Sequence, residues 1–296
     1  MLRRSRTRIG VAALVLAAAL AGTAVAAATT SSAKAPALPS PKDFVSNLDL
    51  ECFRTSAYTP PPLHSPLTLS HLNPVLAGLP RWTVETLGPR TQLCSPVAKN
   101  DVLPPKEVLE FVRYVDLSCY RISGPAVGFP LTLSHLNPQL AHLPRRQVTV
   151  VSPEQLCVPV IKNDSVPPDE VLRLVRYVDL VCYRETPQAS LGLSLLLTQL
   201  NPVLADIPPT KVDVTPNRQL CVPVRKNNQD IPDDVLKIVQ WVDLEKFDVV
   251  APAMHQIDLK LRHINPLLAD LPAEPATLVS RHQLALPVAK NGNTPG

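Results

Sequence analysis

The stretch PDEVLRLVRYVDLVCYR, Pro168 to Arg184, is written four times along the chain. It returns as PKEVLEFVRYVDLSCYR at Pro105 to Arg121, as PDDVLKIVQWVDLEKFD at Pro232 to Asp248 and, shortened, as PKDFVSNLDLECFR at Pro41 to Arg54. A second phrase follows each copy: TQLCSPVAKN ending at Asn100, EQLCVPVIKN at Asn163, RQLCVPVRKN at Asn227 and HQLALPVAKN at Asn291. Cys52, Cys119, Cys182 and Lys246 share one repeat position, in steps of 67, 63 and 64 residues. Cys94, Cys157, Cys221 and Ala285 share the other, in steps of 63, 64 and 64. So regular a period marks a repeat architecture, with units at 42–103, 104–166, 167–230 and 231–296.

Within a unit the residues predict their own elements. Pro167-Pro168-Asp169-Glu170 suits a helix N-terminus, where proline forfeits no hydrogen bond and acids favour the dipole. Val171, Leu172, Leu174 and Val175 then give one or two apolar turns, and Tyr177 to Tyr183 predicts a strand. Leu131 to Leu136 predicts the next strand, Asn137-Pro138 a turn, and Gln139 to His142 a short helix. Gln147 to Val151 reads as a strand, Ser152-Pro153-Glu154 as a turn, and Leu156 to Ile161 as a last strand that Pro159 consigns to an edge or a bulge. The expected fold class is mainly β (α+β): four tandem small disulfide-bonded β modules joined by short helical connectors.

Six cysteines in an exported chain imply three disulfides. The fourth unit lacks both cysteine positions together, as expected of partners bonded within a unit. Pairing Cys94 with Cys119 and Cys157 with Cys182 would strand Cys52 and Cys221. The expected bridges are therefore Cys52–Cys94, Cys119–Cys157 and Cys182–Cys221. No C-x-x-C pair or histidine cluster supports metal ligation instead. Closing a loop of about 40 residues is worth on the order of 4 kcal/mol, a large contribution for a module this small. The bridgeless fourth unit is expected to draw stability from packing on the third.

Tyr114, Tyr177 and Trp241 share a position at which the first unit has Asn47. An aromatic residue wherever a unit has a predecessor, and a polar one where it has none, predicts inter-repeat packing with unit one as an end cap. The same preference would arise if the aromatics lay in each unit's own core.

The start of the chain reads as an export signal over residues 1–26: Arg3, Arg4, Arg6 and Arg8 precede an apolar run from Ile9 to Leu20 and the small residues Ala24-Val25-Ala26. The run falls short of the roughly 20 residues a membrane anchor needs. Arg3-Arg4 hints at twin-arginine export, but the rest of that pattern is poorly matched and general secretion is preferred. Residues 27–41, rich in Ala, Ser, Thr and Pro, read as a tether. Of 29 basic residues, removal of the four leader arginines leaves 25, against 25 acidic ones. A mature chain so near neutrality argues against nucleic acid or anionic lipid as partner. No later apolar run is long enough to span a bilayer, so the expected product is secreted, extracellular or held at the cell surface.

Residues that carry chemistry recur one per unit and do not cluster in sequence. His71, His135 and His263 occupy one position, with Gln199 in the third unit, and are expected to bond to the adjacent Asn-Pro turn. Asp49, Asp116, Asp179 and Asp243 recur singly, too few per unit for a calcium loop, and are expected to make a structural hydrogen bond. Lys99-Asn100, Lys162-Asn163, Lys226-Asn227 and Lys290-Asn291 are expected to form turns. There is no G-x-S-x-G elbow, H-E-x-x-H, phosphate-cradling loop or dinucleotide fingerprint. No catalytic residue, metal site or cofactor is expected.

VDLSCYR, LTLSHLNP and QLCVPVIKN together resemble a family of secreted bacterial tandem-repeat modules classed as a domain of unknown function. Its members carry a Cys-Tyr near the start and Leu-Cys-x-Pro-Val-x-Lys near the end. The likeness covers roughly Asp43 to Asn291, with the fourth unit departing by loss of both cysteines, and it implies an extracellular, non-enzymatic module. The expected function is binding or an envelope scaffold, with an extracellular protein or cell-envelope component as partner. The variable loops Ser56 to His64, Ser123 to Phe129, Glu185 to Leu191 and Asp248 to His255 would make the contact. A secreted protease inhibitor is the first alternative and a secreted hydrolase the second.

Overall fold

Each quarter of the chain lays down one short helix followed by strands, as seen in a computed structural model that describes residues 37–296. The signal peptide expected at 1–26 and most of the tether expected at 27–41 lie outside the described residues. The first quarter holds α1 (Pro41–Ser46), β1 (Leu50–Thr55), β2 (Leu67–His71), β3 (Trp82–Val84) and β4 (Arg90–Lys99). The second holds α2 (Lys106–Val112), β5 (Leu117–Arg121), β6 (Phe129–His135) and β7 (Arg146–Lys162). The third holds α3 (Asp169–Val175), β8 (Leu180–Thr186), β9 (Leu193–Gln199) and β10 (Thr210–Lys226). The fourth holds α4 (Asp233–Val239), β11 (Leu244–Val250), β12 (Ile257–His263) and β13 (Glu274–Lys290). The structure is mainly β, as expected.

Helices of six or seven residues are too short to persist alone, and packing decides them. Acids occupy the first turns of α3 and α4, and Val171, Leu174 and Val175 bury one face of α3. The predicted turn at Ser152-Pro153-Glu154 is absent. β7 runs through it as one 17-residue strand, and the turn-like residues appear as register slips against β8 at Val150/Ser152 and Pro153/Gln155. Such bulges add local bend without ending a strand.

The strand pairings close on themselves. Each short strand that follows a helix pairs antiparallel with the long strand of its own quarter: β1 with β4, β5 with β7, β8 with β10 and β11 with β13. On its other side it pairs with the long strand of the preceding quarter: β5 with β4, β8 with β7, β11 with β10. The series then returns to its start, because β1 pairs with β13. The result is a closed ring of eight strands, and the described residues 37–296 lie in one compact unit.

The remaining strands lace the ring crosswise. β2 pairs with β10, β6 with β13, β9 with β4 and β12 with β7, so each quarter grips the one diametrically opposite. This corrects the edge assignment of Pro159. β7 is a central strand, and Pro159 sits where its neighbour changes: pairing with β8 ends at Cys157 and pairing with β12 begins at Val160. The N–H that proline lacks falls at that change, while its carbonyl accepts from Ile264 N at 3.2 Å.

Closure also removes the end cap. The first quarter is paired on both sides, and the fourth is paired with the first as well as with the third. Tyr114, Tyr177 and Trp241 are half-buried against the helix-lined apolar cluster. Asn47, at their position in the first quarter, donates from Nδ2 to Asp43 O at 2.8 Å.

Two layers of core follow from strand alternation. The face carrying Leu50, Leu117, Leu180 and Leu244, together with the six cysteines, packs on the four helices as a single cluster. The opposite face, with Tyr120, Leu156, Val158, Val181, Tyr183 and Leu220, is covered by the crosswise strands through Leu67, Leu69, Leu131 and Leu133. Cys52–Cys94, Cys119–Cys157 and Cys182–Cys221 are bonded as cross-strand partners within a quarter, spanning 42, 38 and 39 residues.

Candidate functional site

The recurring polar residues are first accounted for by the fold. Each Asp of the VDL phrase is buried in an ion pair with the Lys that ends its own quarter: Asp49 with Lys99, Asp116 with Lys162, Asp179 with Lys226 and Asp243 with Lys290. The same carboxylates accept from the Asn of the following quarter's Leu-Asn-Pro or Ile-Asn-Pro turn. Asn137 donates to Asp49 at 2.8 Å, Asn201 to Asp116 at 2.6 Å and Asn265 to Asp179 at 2.7 Å. Asn73 donates to Asp243 at 2.7 Å, and the cycle closes. Burial pushes each carboxyl up and the amines of Lys162, Lys226 and Lys290 down, and mutual attraction opposes both. The lysines expected in turns are thus interior ions. The asparagines beside them do turn the chain, with φ of 49°, 51°, 48° and 52° at Asn100, Asn163, Asn227 and Asn291.

The histidines do not bond to the Asn-Pro turns. His71 Nε2 lies 2.9 Å from Tyr183 Oη, and His263 Nε2 lies 3.2 Å from Tyr120 Oη and 2.8 Å from Glu274 Oε1. His135 packs against Phe247, with ring centroids 6.1 Å apart. In each case an aromatic partner comes from the opposite quarter, brought there by the crosswise strands, while Glu274 opens β13 of His263's own quarter. Burial holds His71 and His135 down to about 4.

A charged surface forms at the rim away from the helices. The four helix-following strands are parallel to one another, since each is antiparallel to the long strands between them. All four therefore end at one rim, and the four variable loops leave from it. Strand alternation places Arg54, Arg121, Arg184 and Asp248 there, each two residues beyond Cys52, Cys119, Cys182 and Lys246. The three arginines are exposed. Arg184 Nε lies 3.8 Å from Glu154 Oε1, and Arg218 Nε lies 2.5 Å from Asp248 Oδ2. Half-buried His282, held down to about 4 first by burial, feels Arg54, Asp248, Lys246 and Arg218 together. A recess of about 510 Å³ at this rim is lined by Arg121, Ser123, Glu154, Gln155 and Gln219. Four guanidinium groups against two carboxylates make the mouth cationic.

Beneath the mouth lies an amide layer. Gln92 Nε2 donates to Gln155 Oε1 at 2.9 Å and Gln219 Nε2 to Glu154 Oε2 at 2.6 Å, while Gln283 Nε2 donates to Asp248 Oδ1 at 2.9 Å. Lys246, in the position of a missing cysteine, is buried among the bridges. Its Nζ donates to Gln155 Oε1 at 3.0 Å and lies 3.7 and 3.6 Å from Cys119 Sγ and Cys157 Sγ. Burial pulls its amine down to about 7, with Glu154 opposing. The arrangement can present guanidinium, ammonium and amide donors to an anionic group. The arginines were missed from sequence because only ring closure gathers them. Their signal was the recurring Arg two residues beyond each first-phrase cysteine.

Among the described residues, no helix is long and apolar enough to cross a membrane. Comparison with protein-family models, curated sequences and solved structures finds no match.

Proposed function

We propose that the chain is an exported, non-enzymatic binding or envelope-scaffold protein built from four copies of one module joined by short helical connectors. In this reading it is akin to the secreted bacterial tandem-repeat modules its phrases resemble, and three buried disulfides suit an oxidising compartment. The observation that carries the reading is the delivery of four loops of different sequence to one rim around a cationic mouth. A framework held by paired strands and bridges, with variation confined to loops at one end, is how recognition is grafted onto a scaffold. The partner is an extracellular protein or cell-envelope component presenting anionic groups to Arg54, Arg121, Arg184 and Arg218.

The test is capture from the producing organism's envelope fraction on immobilised protein. Capture that weakens as salt rises, and is lost when the four arginines are changed to Gln with the circular dichroism spectrum unchanged, supports the reading. Capture indifferent to those changes and to loop replacement, or stoichiometric inhibition of a secreted protease, contradicts it.

A further inference from the structure

A cleft of about 630 Å³ opens between the turn that follows β9 and the loop Pro252–His255. Leu204 and Ile207 form a buried floor with half-buried Val203, Met254 and Ile257, in the same apolar cluster as Phe53. The quarters explain why it is open. The ninth residue after the Asn of each Asn-Pro turn is Trp82, Arg146, Thr210 or Glu274, and Trp82, Thr210 and Glu274 each pack at the junction with the next quarter.

At the first junction Trp82 is wedged between the following loop and the next long strand. A methyl carbon on Gly124 would lie 2.6 Å from Trp82 Nε1 and 2.7 Å from Pro153 Cγ. The indole also lies edge-on to Tyr183, with ring centroids 6.1 Å apart. At the junction joining the fourth quarter to the first, Glu274 Oε2 accepts from Arg90 Nη1 at 2.7 Å. At the third junction the residue is Thr210, whose Oγ1 accepts from Arg281 Nη2 at 2.7 Å. Arg281, Ala251 and Phe53 hold the repeat positions of Pro153, Gly124 and Tyr183. A threonine there lacks the bulk of an indole, and it lines the cleft together with Arg281.

We propose that this cleft binds a small planar aromatic molecule, its ring taking the place that Trp82 fills two quarters earlier. The lining suits a π face independently of that equivalence: the Met254 thioether, the Arg281 guanidinium and the rings of Pro208, Pro209 and Pro252 all favour aromatic contact over aliphatic. The site goes beyond the binding assigned to the mouth and stands without it, since none of Arg54, Arg121, Arg184 and Arg218 lines it.

Met254 is a built-in reporter, because Met1 is the chain's one other methionine. The full chain labelled with methyl-¹³C methionine is titrated with indole, and Met254→Leu assigns the two signals. A saturable upfield shift of the Met254 methyl is expected, with cyclohexanol at least tenfold weaker. Thr210→Trp abolishes the response to indole and displaces the methyl signal without any ligand. Ala253→Trp, which fills the cleft from its other wall, does the same should Thr210→Trp not fold. An unmoved Met254 methyl at millimolar indole, equal binding of cyclohexanol, or an undiminished response in the folded tryptophan variant overturns the proposal.

Discussion

Arg281 Nε lies 3.0 Å from Glu51 Oε1, both side chains buried, so the last long strand of the chain is clasped to the first short one. Gln199 Nε2 donates to the other oxygen, Glu51 Oε2, at 2.5 Å, adding the third quarter to the same knot. Burial pushes Glu51 up to about 7 even with its partner present. Arg281→Met leaves that carboxylate uncompensated and is expected to cost about 3 kcal/mol or more. The penalty shrinks at pH 5, where Glu51 is protonated, and chemical denaturation at pH 8 and pH 5 measures the difference.

Lys246 and Ala285 face each other as cross-strand partners, in the register that Cys119 and Cys157 occupy. Lys246→Cys with Ala285→Cys should form a fourth bridge. It closes a loop comparable to the other three and removes a buried amine. The chain-entropy model gives on the order of 4 kcal/mol, or a rise in melting temperature of roughly 10 °C. Calorimetry with and without reductant reads it.

The ion pair of Asp116 with Lys162 is completed by Asn201 and by Ser95, whose Oγ donates to Asp116 Oδ1 at 2.8 Å. Asp116→Ala strands a buried ammonium and is expected to cost about 3–5 kcal/mol. The double change Asp116→Leu with Lys162→Met removes both charges and should recover most of that loss. Urea denaturation of the two variants decides it.

These relationships mark where the sequence could be read and where it could not. Helix starts such as Pro168-Asp169-Glu170 and the left-handed turns at Asn100, Asn163, Asn227 and Asn291 are set by residues a few positions apart, so local chemistry reveals them. Closure depends on β1 meeting β13, more than 200 residues away, and no local residue signals it. The errors at Pro159, at the histidines and at Lys99, Lys162, Lys226 and Lys290 share that origin. Each residue answers to a partner from another strand that is remote in sequence, and a Lys-Asn pair reads only as a turn until the aspartate beside its lysine is known. The mouth was hidden for the same reason, since Arg54, Arg121 and Arg184 become neighbours only in a ring.

Glu185 is buried with one hydrogen bond, from Asn217 Nδ2 at 2.7 Å, and burial raises it from 4.5 to about 7. A carboxyl whose folded value lies above its unfolded one contributes stability that is full below pH 4.5 and is lost as pH rises to about 7. The loss assigned to Glu185 is up to about 3 kcal/mol. Glu185→Gln is expected to flatten that part of the profile and to be more stable than wild type at pH 8. Lys246 acts in the opposite window: lowered from 10.5 to about 7, it costs stability as pH falls across that range, and Lys246→Met should remove that slope.

Amide hydrogen exchange across β1 bears most directly on the closed ring. With β4 on one side and β13 on the other, successive amides of residues 50–54 face alternate sides of the strand. All of them should exchange as slowly as those of β5, β8 and β11. Fast exchange at every second residue of β1, with β5 and β8 protected throughout, would show an open edge where the ring is said to close and would contradict the account.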